Sequence, residues 1–449
     1  MTGQVKLLKI PLREHPPSIG RSRRASGTPR APTLPPPVGP MALDLNELRA
    51  RPITDLVADA RELGVDSAAA LKKQELIFEI VRRRAGASGA RGSGVLETLP
   101  DGFGFLRAPD CNYLPGPDDV YVSPSQIRRF NLRTGDLVVG AVRAPKEGER
   151  YFALIKIELV NGRSPESEKE KILFDILSPM TPNRPLLLAG ADPSLAIVDV
   201  SLPLGLGQRV LVLAPPRAGR SSLLRELARA AMQQEPEVAV LVLLVDERPE
   251  EVPAYTAALP GAEIIASSFD EPPARHVQVA EIVLERARRM VEQGRDVLLL
   301  VDSLSRLARA HNAVAPIGGR ELLGGVDLAA VQRARRFFAA GRALREGGSL
   351  TIIATLLTGT GNPVDALLHQ EVEGAANAEL RLDPRLAGLD HWPPLDPRHC
   401  FARGADQLIG AERAAAQRAL RVGLPDDPVA AFQHALGATV APLRSVGGS

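Results

Sequence analysis

Five apolar runs constrain this chain more than any other feature: "RVLVLA", "VAVLVLLVD", "AEIIAS", "DVLLLVD" and "SLTIIAT", spread between residues 209 and 355. Each is too short for a helix of its own, rich in β-branched residues or leucine, and separated from the next by segments with helical spacing. Strands that are apolar on both faces and alternate with helices belong to a parallel sheet covered on both sides. The spacing therefore predicts an α/β domain over residues 201–445.

The first of these runs leads into "LVLAPPRAGRSSLL", Leu211 to Leu224. An apolar strand, a Pro/Gly turn and a helix start with hydroxyl residues make a phosphate-binding loop: backbone N–H groups and a helix N-terminus face the anion, a cation assists, and a hydroxyl reaches a metal. Gly219 allows close backbone approach and Ser221 supplies the hydroxyl. The usual lysine is absent, and Arg220 stands in its place. Two neighbouring strands end in acids, "VLLVDERPEE" in Asp246-Glu247 and "DVLLLVDSLSRLARAHN" in Asp302. An acid at the C-terminal end of a buried parallel strand points into the ligand crevice. Asp302 is placed to act on Mg²⁺ and Glu247 to orient or deprotonate an attacking water; alternatively each acid only caps its turn.

Upstream the pattern changes. Residues 1–40 hold seven basic residues and one acid and end in "APTLPPPVGP", a composition that does not order itself. They read as a flexible basic arm with nonspecific RNA affinity, or as a consequence of start-site choice. The net charge of +2 rests on them, so any nucleic-acid site in the body must be a local patch. Residues 41–90 read as a small helical unit: "PITDLVADARELG" has Pro at its start and Gly64 at its end, and "KKQELIFEIVRRR" follows. Over 91–160, short alternating runs split by Gly, Pro and Asp predict a small β-barrel, and it holds three of the four tyrosines, Tyr113, Tyr121 and Tyr151. Residues 161–200, with the polar "NGRSPESEKEK", read as a connector. Two distant cysteines, Cys111 and Cys400, form no disulfide or zinc pattern; with no signal peptide or membrane-spanning run, a cytoplasmic location is expected.

With these residues in hand, the chain resembles the Rho family of bacterial transcription termination factors, hexameric ATP-driven RNA translocases. The likeness runs from about Met41 to Leu443 and is carried by "DGFGFLR", "GPDDVYVSPSQIRRFNLRTGD", "PKEGERYFAL", "DERPEEV", "FDEPPARHVQVAE", "DSLSRLARAHN" and "EGGSLTIIAT". It implies a RecA-like P-loop ATPase domain preceded by a helical unit and an OB or cold-shock-like barrel that binds pyrimidine-rich single-stranded RNA. It implies ATP and Mg²⁺, a hexameric ring of this chain or a mixed ring with a conventional subunit, and RNA polymerase and Nus-type factors as partners. The primary RNA site would comprise Gly102, Phe103, Gly104, Phe105, Leu106 and Arg107, then Asp119, Val120 and Tyr121, then Glu149, Arg150 and Tyr151. Aromatic faces with nearby Arg107 and Arg150 are how OB-type barrels hold single strands.

In the ATPase domain the resemblance carries nucleotide contacts onto Gly205, Leu206, Gly207, Gln208, Arg209 and Val210, onto Arg217, Ala218, Gly219, Arg220, Ser221 and Ser222, and onto Arg248. It makes Glu247 the catalytic glutamate and Asp302 the metal-site aspartate. The loop Gly318 to Asp327 falls on the one that grips RNA in the ring's centre, with Arg320 and Glu321 as secondary RNA contacts. Several positions depart from the family. Arg217, Arg220 and Arg320 replace lysines, which an arginine-rich coding bias explains, since no lysine follows Lys171. Pro363 replaces an RNA-contacting lysine, Asp390 a basic residue, and His399 falls where the arginine finger is expected, with Arg398 as substitute and Arg403 nearby. Bias explains none of these three. Two readings follow: an active RNA translocase, or a catalytically weakened RNA-binding paralogue that modulates transcription or a ring of conventional subunits. A rotary-ATPase-like subunit would leave the RNA barrel unexplained.

Overall fold

The computed structural model describes residues 43–84, 90–146, 148–316, 321–322 and 325–444. The basic arm of residues 1–40 and Arg320 lie outside the described residues.

The helical unit consists of Leu45–Ala50, Ile53–Glu62 and Lys73–Arg84. Asp44 caps the first helix by accepting from the Asn46 N–H. The apolar stripe of the last helix, Leu76, Ile77, Ile80 and Val81, is buried at helical spacing and packs into the same core as the barrel strands.

The barrel closes from five strands, Ala90–Thr98, Gly104–Arg107, Val120–Val122, Phe152–Val160 and Leu137–Arg143, the last pairing back to the first. Closure removes the exposed edges that short strands would otherwise present. Val95, Leu96, Leu106, Val120, Val138 and Phe152 lie buried behind the sheet surface. Close approach explains Gly140: a Cβ there would stand 2.1 Å from the Lys156 carbonyl oxygen on the paired strand.

The ATPase domain is a sheet in the order Glu263–Ser268, Ala239–Glu247, Asp296–Asp302, Ser349–Leu357, Arg209–Ala214 and Ala378–Arg381, all parallel. The antiparallel Phe401–Ala402 lies at its edge. Helices cover both faces and two large buried clusters form, one on each side. The segment expected as a connector is built into this domain: Pro179–Met180 pairs with the strand Arg342–Leu344, and Pro185–Leu186 pairs with Leu204–Gly205.

Barrel and ATPase domain are joined by specific contacts. Arg133 Nη2 donates to Glu292 at 2.9 Å, Gln293 Nε2 to the Asn161 carbonyl at 2.7 Å, and the Ala266 N–H to Asn112 Oδ1 at 2.8 Å. The buried Tyr113 hydroxyl bonds Glu263 on the edge strand of the sheet. Gly135 sits at a φ of +92°, with a virtual Cβ 2.4 Å from the Glu285 backbone. Gly135→Ala is therefore expected to cost about 1–3 kcal/mol or more from overpacking and the strained φ together. Urea unfolding checks this; an unchanged midpoint would show that the contact is loose.

Candidate nucleotide site and aromatic RNA surface

The strand Arg209–Ala214 is a buried β-branched and leucine run. It ends at Pro215, which cannot continue the ladder. The chain then turns through Arg217 at a φ of +64° and Gly219 at +74° before the helix Arg220–Gln234 begins. Helical N–H groups and the positive end of the helix dipole thus face the crevice at the C-terminal end of the sheet.

Three expected residues converge here. Ser221 Oγ donates to Asp302 Oδ2 at 2.7 Å. Asp302, fully buried, also accepts from Thr355 Oγ1 at 2.8 Å and from Arg220 Nε at 2.9 Å. The other end of the Arg220 guanidinium bonds Glu247. Arg306 Nη1 lies 2.7 Å from the same oxygen of Glu247. Burial pushes the Glu247 carboxyl above its ordinary range, and the charge of Asp302 adds to this. Burial works against the Arg220 charge, but Asp302 and Glu247 outweigh it and raise its pKa. Arg220 is thus a cationic bridge between the two acids.

Arg217 and Arg248 are exposed at the same crevice, while Ala218 is buried and Ser222 half-buried. Gly205 to Val210 do not join them within this chain. They lie at the opposite end of a six-residue strand, about 20 Å away at ~3.3 Å per residue. They hold the turn that starts that strand: the Gly205 N–H donates to Gln208 Oε1 at 2.9 Å and the Gly207 N–H to Thr351 Oγ1 at 2.8 Å. Buried backbone donors need such partners.

Sequence reasoning missed Trp392, the only tryptophan. Its ring lies over the phosphate loop: a Cβ on Gly219 would stand 3.0 Å from Trp392 Cζ3. Its indole N–H bonds Glu226. The scarcity of tryptophan was the signal that could have drawn attention to it.

The expected finger substitute, Arg398, is engaged within this chain. Arg398 is fixed on Asp396 by two parallel bonds of 2.9 and 2.8 Å, and His399 Nδ1 lies 2.8 Å from the same carboxylate. Arg403 is the exposed arginine of that segment; its guanidinium lies 5.8 Å from the Phe401 ring at the sheet's edge.

On the barrel, Phe103, Phe105, Tyr121 and Tyr151 form one cluster. Phe105 meets Tyr151 edge-on at 4.8 Å and Phe103 at 5.8 Å, and Phe103 lies 5.7 Å from Tyr121. Strand pairing explains it, since Phe105 is directly opposite Tyr121. Leu106 and Val120 point the other way, into the core. Gly102 turns the chain at a φ of +84°, and Gly104 lies against the Glu97 backbone. Arg150 is exposed, and Glu149 pairs with Arg143. Arg107, expected as a free charge, is buried beneath Phe105 with its guanidinium 5.0 Å from the ring. Its Nε donates to Glu97 at 2.7 Å and its other end bonds Asp119. Burial pushes the Asp119 carboxyl up to about 6. Arg107 therefore braces the aromatic surface from below.

The loop expected to carry the secondary RNA contacts is described only at its edges. Glu321–Leu322 pairs with Val326–Asp327, and Pro363 opens the helix Pro363–Glu373 behind the Asn362 cap. Among the described residues, no cluster of three or more His, Cys, Asp or Glu side chains could hold a metal, and no helix is long and apolar enough to cross a membrane.

Fold and site together define a P-loop ATPase carrying an OB-type barrel with an aromatic face. The family models agree: Rho termination factor, N-terminal domain, over residues 47–89, its RNA-binding domain over 92–166, and the ATP synthase alpha/beta family, nucleotide-binding domain, over 194–402. Transcription termination factor Rho of Pseudomonas fluorescens biotype C is 47% identical over 399 residues, covering 87% of this chain and 95% of its own. Rho of Haemophilus influenzae has the same identity and coverage, and that of Escherichia coli K12 is 46% identical over 376 residues, 82% of this chain and 90% of its own. The chain belongs to the Rho family of transcription termination factors. A slighter likeness to a prototypical ATPase from the type III secretion system of pathogenic bacteria, 24% identical with a TM-score of 0.48 over 54% of this chain and 69% of that one, adds nothing to this.

Proposed function

We infer that this chain is an RNA-binding ATPase of the Rho type that acts in transcription termination, gripping nascent single-stranded RNA on its barrel and moving along it by hydrolysing ATP. The observation that carries this is the joint presence of Ser221, Glu247 and Asp302 around the phosphate loop and of the Phe103, Phe105, Tyr121 and Tyr151 cluster on the barrel. The hydroxyl of Ser221 and the carboxylate of Asp302 are oxygen donors suited to Mg²⁺, which would neutralise phosphate charge there. Glu247 would orient or deprotonate the attacking water, and Trp392 would stack the base. Arg403 would complete a neighbouring subunit's site in a ring.

Bases stacking on the exposed Tyr151 contribute about 1–3 kcal/mol each. Tyr151→Ala is expected to weaken oligo-cytidine binding by about 5–150-fold, read by fluorescence anisotropy. Unchanged affinity would place the RNA elsewhere.

One observation favours a second reading, a weakened RNA-binding paralogue: Arg220 engages both catalytic acids at once. RNA-stimulated ATP hydrolysis by the unaltered chain decides. Robust turnover ends the second reading; its absence, with RNA binding intact, ends the first.

A further inference from the structure

The aromatic surface of the barrel is wired to the catalytic strand by a continuous set of contacts. Under Phe105 lies Arg107, whose Nε donates to Glu97 Oε2 at 2.7 Å. The second oxygen of Glu97 accepts from Gln278 Nε2 at 2.6 Å, across the domain boundary. Gln278 in turn accepts through Oε1 from Arg275 Nη1 at 2.8 Å. Both residues lie in the first two turns of the helix Pro273–Glu292. Between them in sequence, the buried His276 bonds Ser267 Oγ through Nδ1 at 2.7 Å. Ser268, the next residue, pairs with Glu247, and the Phe269 N–H donates to the Glu247 carbonyl at 3.2 Å.

The geometry points to Gln278 as a positioning residue that couples occupancy of the aromatic surface to the placement of Glu247. This rests on the reading of the barrel as an RNA site and of the phosphate loop as a nucleotide site. A base stacking on Phe105 presses that ring on the Arg107 guanidinium beneath it and shifts the bond from Arg107 to Glu97. Glu97 then leans on its remaining side-chain donor in the helix, Gln278, and pulls the turn that carries His276. Buried charge-assisted bonds transmit such a shift because leaving either partner unmatched is costly. Other barrel contacts, among them Arg133 to Glu292 and Gln293 to Asn161, hold the domains together without touching the aromatic cluster.

The experiment measures affinity of the full chain for adenylyl-imidodiphosphate with Mg²⁺, with and without a short oligo-cytidine. In the unaltered chain the RNA is expected to change nucleotide affinity by about 5–150-fold. Gln278→Ala should bring that ratio close to one while leaving the affinity for each ligand alone nearly unchanged. Gln278→Lys, which keeps a donor facing Glu97, should retain the coupling. Gln293→Ala, which breaks a contact elsewhere in the same interface, should retain it too. Coupling that survives Gln278→Ala, or falls equally in Gln293→Ala, overturns the proposal, as does an unaltered chain that binds both ligands independently. Failure to bind either ligand overturns the reading of the two sites and the proposal with it.

Discussion

Arg403→Ala is expected to lower RNA-stimulated ATP hydrolysis by about 10³–10⁵-fold, the range an arginine finger contributes in related nucleotide hydrolases. Asp396 engages both Arg398 and His399 within the subunit. Arg403 follows the edge strand Phe401–Ala402, is exposed, and lies against the Phe401 ring. Its backbone is fixed, the N–H donating to the Asn377 carbonyl at 2.7 Å, so the side chain projects from a firm base. A finger that works across subunits has a distinctive signature. Mixing Arg403→Ala with Glu247→Gln subunits should restore part of the activity, because some interfaces then pair an intact finger with an intact glutamate. No recovery on mixing would place Arg403 in its own subunit's site or outside catalysis altogether.

The parallel sheet was legible because its strands are buried on both faces, and unbroken apolar runs such as Leu298 to Val301 have few other folded uses. The acids that follow those runs were legible for the same reason: a charge at the end of a buried strand needs a purpose. The barrel was legible from its turns. What the sequence concealed was which polar groups are already engaged. Arg107 and Arg150 look alike in a string of letters, yet one is buried between Glu97 and Asp119 and the other faces water. Arg398 and Arg403 differ in the same way. The local Asp396-Pro397-Arg398 turn closes a bidentate pair two residues long, a contact set by backbone geometry that composition does not reveal. Gly205 to Val210 were assigned to the nucleotide by the family resemblance. A strand in between carries them to the other end of the sheet.

The cost of removing the buried cation shows why Arg107 is braced rather than free. Arg107→Leu would leave Glu97 and Asp119 buried without their shared partner. Breaking a buried pair from one side typically costs about 3–5 kcal/mol. Asp119 would be the first to respond by taking a proton, since its carboxyl is already pushed up to about 6 by burial. Its folded pKa lies above the unfolded value, so the folded state favours the protonated form. Its charge therefore penalises folding increasingly as pH rises from about 4 to about 6, and fully above that. The variant's deficit should thus be larger at pH 7 than at pH 5, read from urea midpoints at both.

Glu247→Gln is expected to lower the hydrolysis rate by about 10²–10⁴-fold, the usual contribution of a positioned general base, while nucleotide still binds. The amide keeps the shape and can accept from Arg306, but it cannot take a proton. Because burial and the neighbouring Asp302 raise the Glu247 pKa, the acid limb of the rate profile in the parent should lie above the ordinary carboxylate range, with activity lost as pH falls through it. That limb should vanish in the variant. Arg220→Lys tests the same acids from the other side. Lysine's compact ammonium cannot span Asp302 and Glu247 together as the guanidinium does, so Glu247 gains freedom to meet a water. An increase in turnover of about tenfold or more, some 1.4 kcal/mol off the barrier, would identify the Arg220 bridge as the restraint on catalysis. A decrease would mean that arginine at this position has become part of the working phosphate site, with its two acids released each time nucleotide arrives.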